Sequence, residues 1–253
     1  MKKQFTLALG ILFVLICTVS FVQADIIADR YVGAEPTMNY GPWDVIGKEY
    51  YFGIDSVRVS ADEDFYFIDI YTAFADNVGI KDVALGDLFL STDGWNPYGS
   101  SPYREDNAYN GESWEYALAL DDHLGSGGSW NLYSVDDQNI LMADHESGSY
   151  RAGQEVQYDG SGQHSLSSGS WYLSDADNDN AYDYLRFEIG RNLFEDNGWL
   201  ALTEGSEYGF HWTMTCGNDV IEGAFDPVPE PATMLLLGSG LAGLGILRRK
   251  RNI

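Results

Sequence analysis

Phe65-Tyr66-Phe67-Ile68-Asp69-Ile70-Tyr71-Thr72-Ala73-Phe74 decides the fold class. Aromatic and β-branched side chains suit a pleated surface and lose rotamer freedom in a helix, so the run reads as a strand. Its apolar residues occupy both faces, as in a strand covered on both sides, and Asp69 is the exception. Working outward, the same alternation recurs in Leu88–Ser91, Trp114–Leu120, Asn131–Ser134, Glu155–Tyr158, Trp171–Leu173, Tyr184–Ile189, Tyr208–Thr215 and Val220–Gly223. Turn-forming clusters such as Asp93-Gly94-Trp95-Asn96-Pro97 and Gly125-Ser126-Gly127-Gly128 separate these segments. No long stretch holds a helical period, and Gly190–Asn197 has room for a single helical turn. About ten short strands punctuated by turns predict an all-β, antiparallel sandwich of jelly-roll type.

The two ends are built differently. Lys2 and Lys3 precede an apolar run from Phe5 to Val22, and Val22-Gln23-Ala24 presents the small or apolar residues that a signal peptidase reads. Residues 1–24 are therefore expected to be a signal helix cleaved after Ala24. Ile16 occupies the position before Cys17 where a lipoprotein signal needs a small residue. At the other end, residues 227–253 contain Pro229-Glu230-Pro231, an apolar segment from Ala232 to Leu247, and Arg248-Arg249-Lys250-Arg251. Proline keeps the helix from starting earlier, and the basic cluster is the cytoplasmic flank of a short transmembrane helix. Sixteen helical residues cover about 24 Å, short of the roughly 30 Å hydrocarbon core.

This order of Pro-Glu-Pro turn, apolar span and basic terminus resembles the PEP-CTERM sorting signal of Gram-negative bacteria. The resemblance implies processing by an exosortase, a precursor held in the inner membrane, and delivery to the cell surface or extracellular matrix, with exopolysaccharide as an expected partner.

Residues 25–226 then form one extracytoplasmic domain. It carries eight Lys or Arg against 38 Asp or Glu, a net charge of −30. Such a surface repels nucleic acid and attracts cations. All seven Trp and all 17 Tyr fall in it, which excludes a disordered acidic polymer. Cys216 is its lone cysteine, so no intrachain disulfide can form. Its alternation with Phe210, Trp212 and Met214 predicts a buried structural thiol.

Trp114-Glu115-Tyr116-Ala117 and Leu185-Arg186-Phe187-Glu188-Ile189 resemble strand phrases of the sandwich domains grouped with DOMON and family-nine carbohydrate-binding modules. That resemblance implies a sandwich fold; the heme ligands of some DOMON domains have no matching Met and His in this chain.

Two constellations carry candidate chemistry. In Asp175-Ala176-Asp177-Asn178-Asp179-Asn180-Ala181-Tyr182-Asp183, the carboxylates of Asp175, Asp177, Asp179 and Asp183 and the Ala181 carbonyl are spaced to wrap a Ca2+ ion. The loop departs from an EF-hand at Asn180, where glycine is usual, and at Arg186, where a bidentate Glu is usual. The second is aromatic: Trp95, Tyr98, Tyr103 and Tyr109 lie between two strands, either as a glycan platform or folded back over the sandwich end. No HExxH or GxSxG motif is present, so no catalytic residue is assigned. Asp69 is expected at a sheet edge or paired with Arg58, Arg186 or Arg191. The expectation is an exported, structural or adhesive surface protein that binds calcium and glycan, not an enzyme. The alternative is a surface glycan-active enzyme on the same scaffold.

Overall fold

The computed structural model describes residues 24–34, 44–144, 150–174, 183–195, 197–202 and 206–226. The expected signal helix, the transmembrane helix and the Pro229-to-Arg251 sorting residues lie outside this set, except Ala24. No helix among the described residues is long and apolar enough to cross a membrane. Asp25–Pro227 makes one compact unit.

The strands are β1 (Ala24–Ala28), β2 (Ile54–Ala61), β3 (Phe65–Thr72), β4 (Leu88–Ser91), β5 (Tyr116–Leu120) and β6 (Gly127–Ser134). They continue with β7 (Ile140–Met142), β8 (Glu155–Tyr158), β9 (Ser167–Ser174), β10 (Tyr184–Gly190), β11 (Tyr208–Thr213) and β12 (Val220–Phe225). Ten of them hydrogen-bond in the order β1-β2-β3-β10-β9-β6-β5-β4-β11-β12, and β7 pairs with β8 separately. All registered pairings from β2 to β12 are antiparallel.

The all-β antiparallel class is as expected, but the two stacked sheets of a sandwich are replaced by one continuous sheet curled until its ends approach. The Ile54 N–H of β2 donates to Asp219 Oδ2, just ahead of β12, at 2.6 Å. A methyl group on Gly223 of β12 would lie 3.0 Å from Ile27 Cγ2 of β1. A twisted ten-strand sheet rolls in this way because flat sheets of that width leave one face uncovered.

The core fills the inside of the roll. Trp130, Trp171 and Trp212 are fully buried with Phe89, Phe187, Phe210 and Phe225. Each of these indoles has a partner for its N–H: Trp130 donates to Ser170 O at 3.0 Å, Trp171 to Asp121 Oδ1 at 3.1 Å and Trp212 to Gly86 O at 3.2 Å. Trp130 comes so near β9 that a Cβ on Gly169 would meet its Cζ2 at 2.2 Å, so the ring packs directly on backbone.

β3 is central, flanked by β2 and β10, and Asp69 is therefore not at an edge. It is buried and forms a bidentate pair with Arg186 at 2.5 and 2.7 Å. Arg186 also lies over the rings of Phe67, Tyr172 and Tyr184. The residue that breaks the EF-hand pattern in sequence thus neutralises the one acid of the central strand.

Cys216 is buried and free, its pKa pushed up to about 12 by burial. It follows the end of β11, which stops at Thr213 and not at Thr215. The Gly190–Asn197 segment contains one 3-10 turn, Arg191–Leu193.

Candidate functional site

β4 and β12 end, and β5 and β11 begin, at one rim of the roll. The loops there enclose a cleft of about 550 Å³ lined by Asp93, Gly94, Trp95, Asn96, Glu112, Ser206, Glu207 and Asp226. The strand order places β5, β4, β11 and β12 side by side, so segments more than 100 residues apart in sequence converge.

Trp95 is held from behind. Its Nε1 donates to Glu222 Oε2 at 3.0 Å, and Tyr103 meets the indole edge-on with ring centres 5.4 Å apart. Tyr103 in turn stacks on Tyr31 at 6.0 Å. Glu222 Oε1 lies 2.8 Å from His211 Nδ1, whose Nε2 lies 2.6 Å from the Glu155 carbonyl. Both ring nitrogens of His211 thus face oxygens, an arrangement that suits imidazolium. Burial by itself would lower the His211 pKa, but the Glu222 hydrogen bond and charge, with Glu155, hold it above the ordinary value. Burial pushes the Glu155 carboxyl up to about 7. Asp106 is pushed up to about 6 by burial and then by the Glu222 charge. The aromatic wall therefore stands on a buried polar layer that fixes the orientation of the indole.

Asp93 and Glu112 of the lining belong to a carboxylate group. One oxygen each of Asp93, Glu112 and Glu115 lies within 4.8 Å of the others. Local hydrogen bonds orient them: Ser91 Oγ donates to Asp93 at 2.9 Å, the Asn96 N–H to Glu112 at 2.6 Å and the Thr92 N–H to Glu115 at 2.8 Å. Burial raises the pKa of Glu112 and Glu115, and the neighbouring Asp93 charge raises both further.

A second acidic trio lies where the ends of the sheet approach. Oxygens of Asp29, Asp44 and Asp219 fall within 4.8 Å of one another. Fully buried Arg151 lies beside them and donates to the carbonyls of Gly217 at 3.3 Å, Ala34 at 2.8 Å and Asp44. Burial first, then the charges of Asp219 and Asp44, push the Asp29 carboxyl up to about 10. By donor type, either trio offers the oxygen ligands of a hard cation.

Of the four sequence-predicted aromatic residues, Trp95 lines the cleft and Tyr103 backs it. Tyr98 and Tyr109 do not line it and stand exposed, at 48% and 82%. Asp175, Asp177, Asp179 and Ala181 of the expected calcium loop lie outside the described residues. Asp183 is buried at the start of β10, where its carbonyl accepts the Thr72 N–H at 2.9 Å.

Sequence reading missed Asp93, Glu112, Glu115 and Glu222 as site residues, and both Asp29 and Arg151. The available signal was a Trp inside a turn cluster, Asp93-Gly94-Trp95-Asn96-Pro97, where a turn alone needs no indole.

Residues 227–251 match the model of the PEP-CTERM protein-sorting motif. No curated protein and no solved structure matches the chain. The motif marks an exported protein that an exosortase sorts at the membrane.

Proposed function

We propose that this exosortase-sorted protein is a non-catalytic glycan-binding module of the cell surface or extracellular matrix, with a structural or adhesive role. The observation that carries the reading is the Trp95 indole, clamped by Glu222 and Tyr103 in the wall of a polar cleft. An indole presents a flat apolar face to the C–H side of a sugar ring, while Asp93, Asn96, Glu112 and Asp226 offer acceptors and donors to its hydroxyls. Rigid placement lowers the ordering cost of binding.

Titration calorimetry of the full chain against a panel of neutral and charged oligosaccharides tests this. Binding is expected for at least one oligosaccharide, and Trp95→Ala is expected to weaken it by at least about tenfold, the loss of roughly one stacking contact. A panel with no binder overturns the reading. The enzymatic alternative is favoured by one observation, the raised pKa of Glu112 in the cleft and of Glu115 beside it. Product release that Glu112→Gln abolishes would establish it.

The reading includes calcium at the Asp175–Asp183 loop, supported by the spacing of its carboxylates. A bound ion stabilises the folded state by mass action, so excess calcium is expected to raise the melting temperature by several degrees over EDTA. Equal melting temperatures in the two buffers would remove calcium from the reading.

A further inference from the structure

We propose that the cleft selects cationic amino sugars, meaning hexosamine oligomers with free amines, seating a ring on Trp95 and an ammonium between Asp93, Glu112 and Glu115. This rests on the glycan reading above and names its ligand class.

Three features of the cleft point there together. Among the described residues, its lining contains the carboxylates of Asp93, Glu112, Glu207 and Asp226 and no Lys, Arg or His. A uronate or sulfated sugar placed there would meet like charge on every side, and a neutral sugar would leave the part-buried Glu112 without a counter-charge. The trio has the right size: a centre between three oxygens no more than 4.8 Å apart lies within about 2.8 Å of each, the length of a charge-assisted N–H···O bond. An ammonium has three N–H donors, one for each carboxylate.

The indole adds the selectivity that charge lacks. A domain of net charge −30 attracts any polycation at long range, but only a cation attached to a flat ring gains both the trio and the Trp95 face. Glu112 accepts the N–H of Asn96, the residue next to Trp95, so the carboxylate and the ring are positioned by the same short loop.

Calorimetry on the full chain at about pH 6, where most hexosamine amines are protonated, tests the assignment with four probes. These are a β-1,4-linked glucosamine hexamer, its fully N-acetylated counterpart, a neutral glucose hexamer of the same linkage, and a pentalysine peptide. The glucosamine hexamer is expected to bind at least about tenfold more tightly than each of the other three. Glu112→Gln, which keeps the shape and removes the charge, is expected to erase that preference while leaving weak binding of the uncharged hexamers. Trp95→Phe is expected to weaken binding of all three sugars and leave pentalysine unchanged.

Equal affinity for the three sugars overturns the amine assignment and leaves the glycan reading intact. Pentalysine binding as tightly as the glucosamine hexamer shows plain polyelectrolyte attraction and overturns the assignment. Binding of the hexamer only when calcium is added assigns the trio to a metal and overturns it too. No sugar binding at all removes the glycan reading on which the assignment rests.

Discussion

Lowering the pH from about 8 to about 5 is expected to stabilise the fold, raising the melting temperature by about 10 °C. The groups responsible lie under the Trp95 wall. Asp106 and Glu155 are buried acids whose folded-state pKa values are raised to about 6 and about 7 from 3.8 and 4.5. A raised acid binds its proton more tightly in the folded chain than in the unfolded one. Its stabilising contribution is complete below the unfolded value and is lost as the pH rises through the folded value. His211 has the same sign, since its folded pKa is also raised: its contribution holds below the unfolded value of 6.5 and fades through the folded one. Asp29, pushed up to about 10, extends the loss to alkaline pH. At about 1.4 kcal/mol for each pKa unit, Asp106 and Glu155 together account for roughly 3 to 5 kcal/mol. Calorimetric melts across this range check the sign. A protein that melts at the same or a lower temperature at about pH 5 refutes the proton inventory of the buried layer. Glu155→Gln is expected to flatten the pH dependence while keeping the fold.

The second large effect is expected from Arg151→Met, a loss of about 3 to 5 kcal/mol of folding stability. Arg151 is fully buried and spends its guanidinium on three carbonyls, those of Ala34, Asp44 and Gly217. It thereby ties the segments after β1 and before β2 to the turn between β11 and β12. Its charge also lowers the pKa of Asp219 and Asp29 against the burial that raises them. Methionine fills comparable volume but leaves the three carbonyls without this donor and removes the Arg151 charge from beside the acidic trio. Urea unfolding measures the loss. Arg151→Lys is expected to fall between the two, since it keeps the charge and loses the fork. A methionine variant as stable as the parent would show that Arg151 does not brace the seam.

Strands were legible where the apolar alternation is strong. β3, β10 and β11 sit within two residues of their expected bounds because aromatic and branched residues mark them. β2 escaped because its core-facing Val57, Val59 and Ala61 alternate with Ser56, Arg58 and Ser60 on the other face, and no aromatic residue marks the run. Gly127 and Gly128 read as a turn but open β6, where their bare backbones lie close against Trp171, Tyr172 and Asp121. β7 has three residues, too few to show a period. One curled sheet, in place of two stacked ones, could not be read from a list of strands, because it depends on which strands pair across the β3–β10 and β4–β11 junctions.

The candidate site was legible only at Trp95 and Tyr103. Its carboxylates come from residues 93, 112, 115, 207 and 226, so no local spacing brings them into view. Asp69 is expected from the sequence at a sheet edge or paired with Arg58, Arg186 or Arg191. The ladder puts both Arg58 of β2 and Arg186 of β10 opposite it, and Arg186 makes the bidentate contact.

β12 has a mechanical consequence. The sorting motif begins at residue 227, two residues after β12 ends at Phe225. While that tail is attached, any tension on it enters the domain through one strand, whose ladder to β11 runs from the Phe225–Tyr208 pair to the Val220–Thr213 pair. The far end of β12 is bolted at Asp219, which accepts from Ile54 of β2, so force is passed across the seam to the opposite end of the sheet. A tether at this point pulls on the closure of the roll, and Asp226 places the mouth of the cleft at the root of that tether.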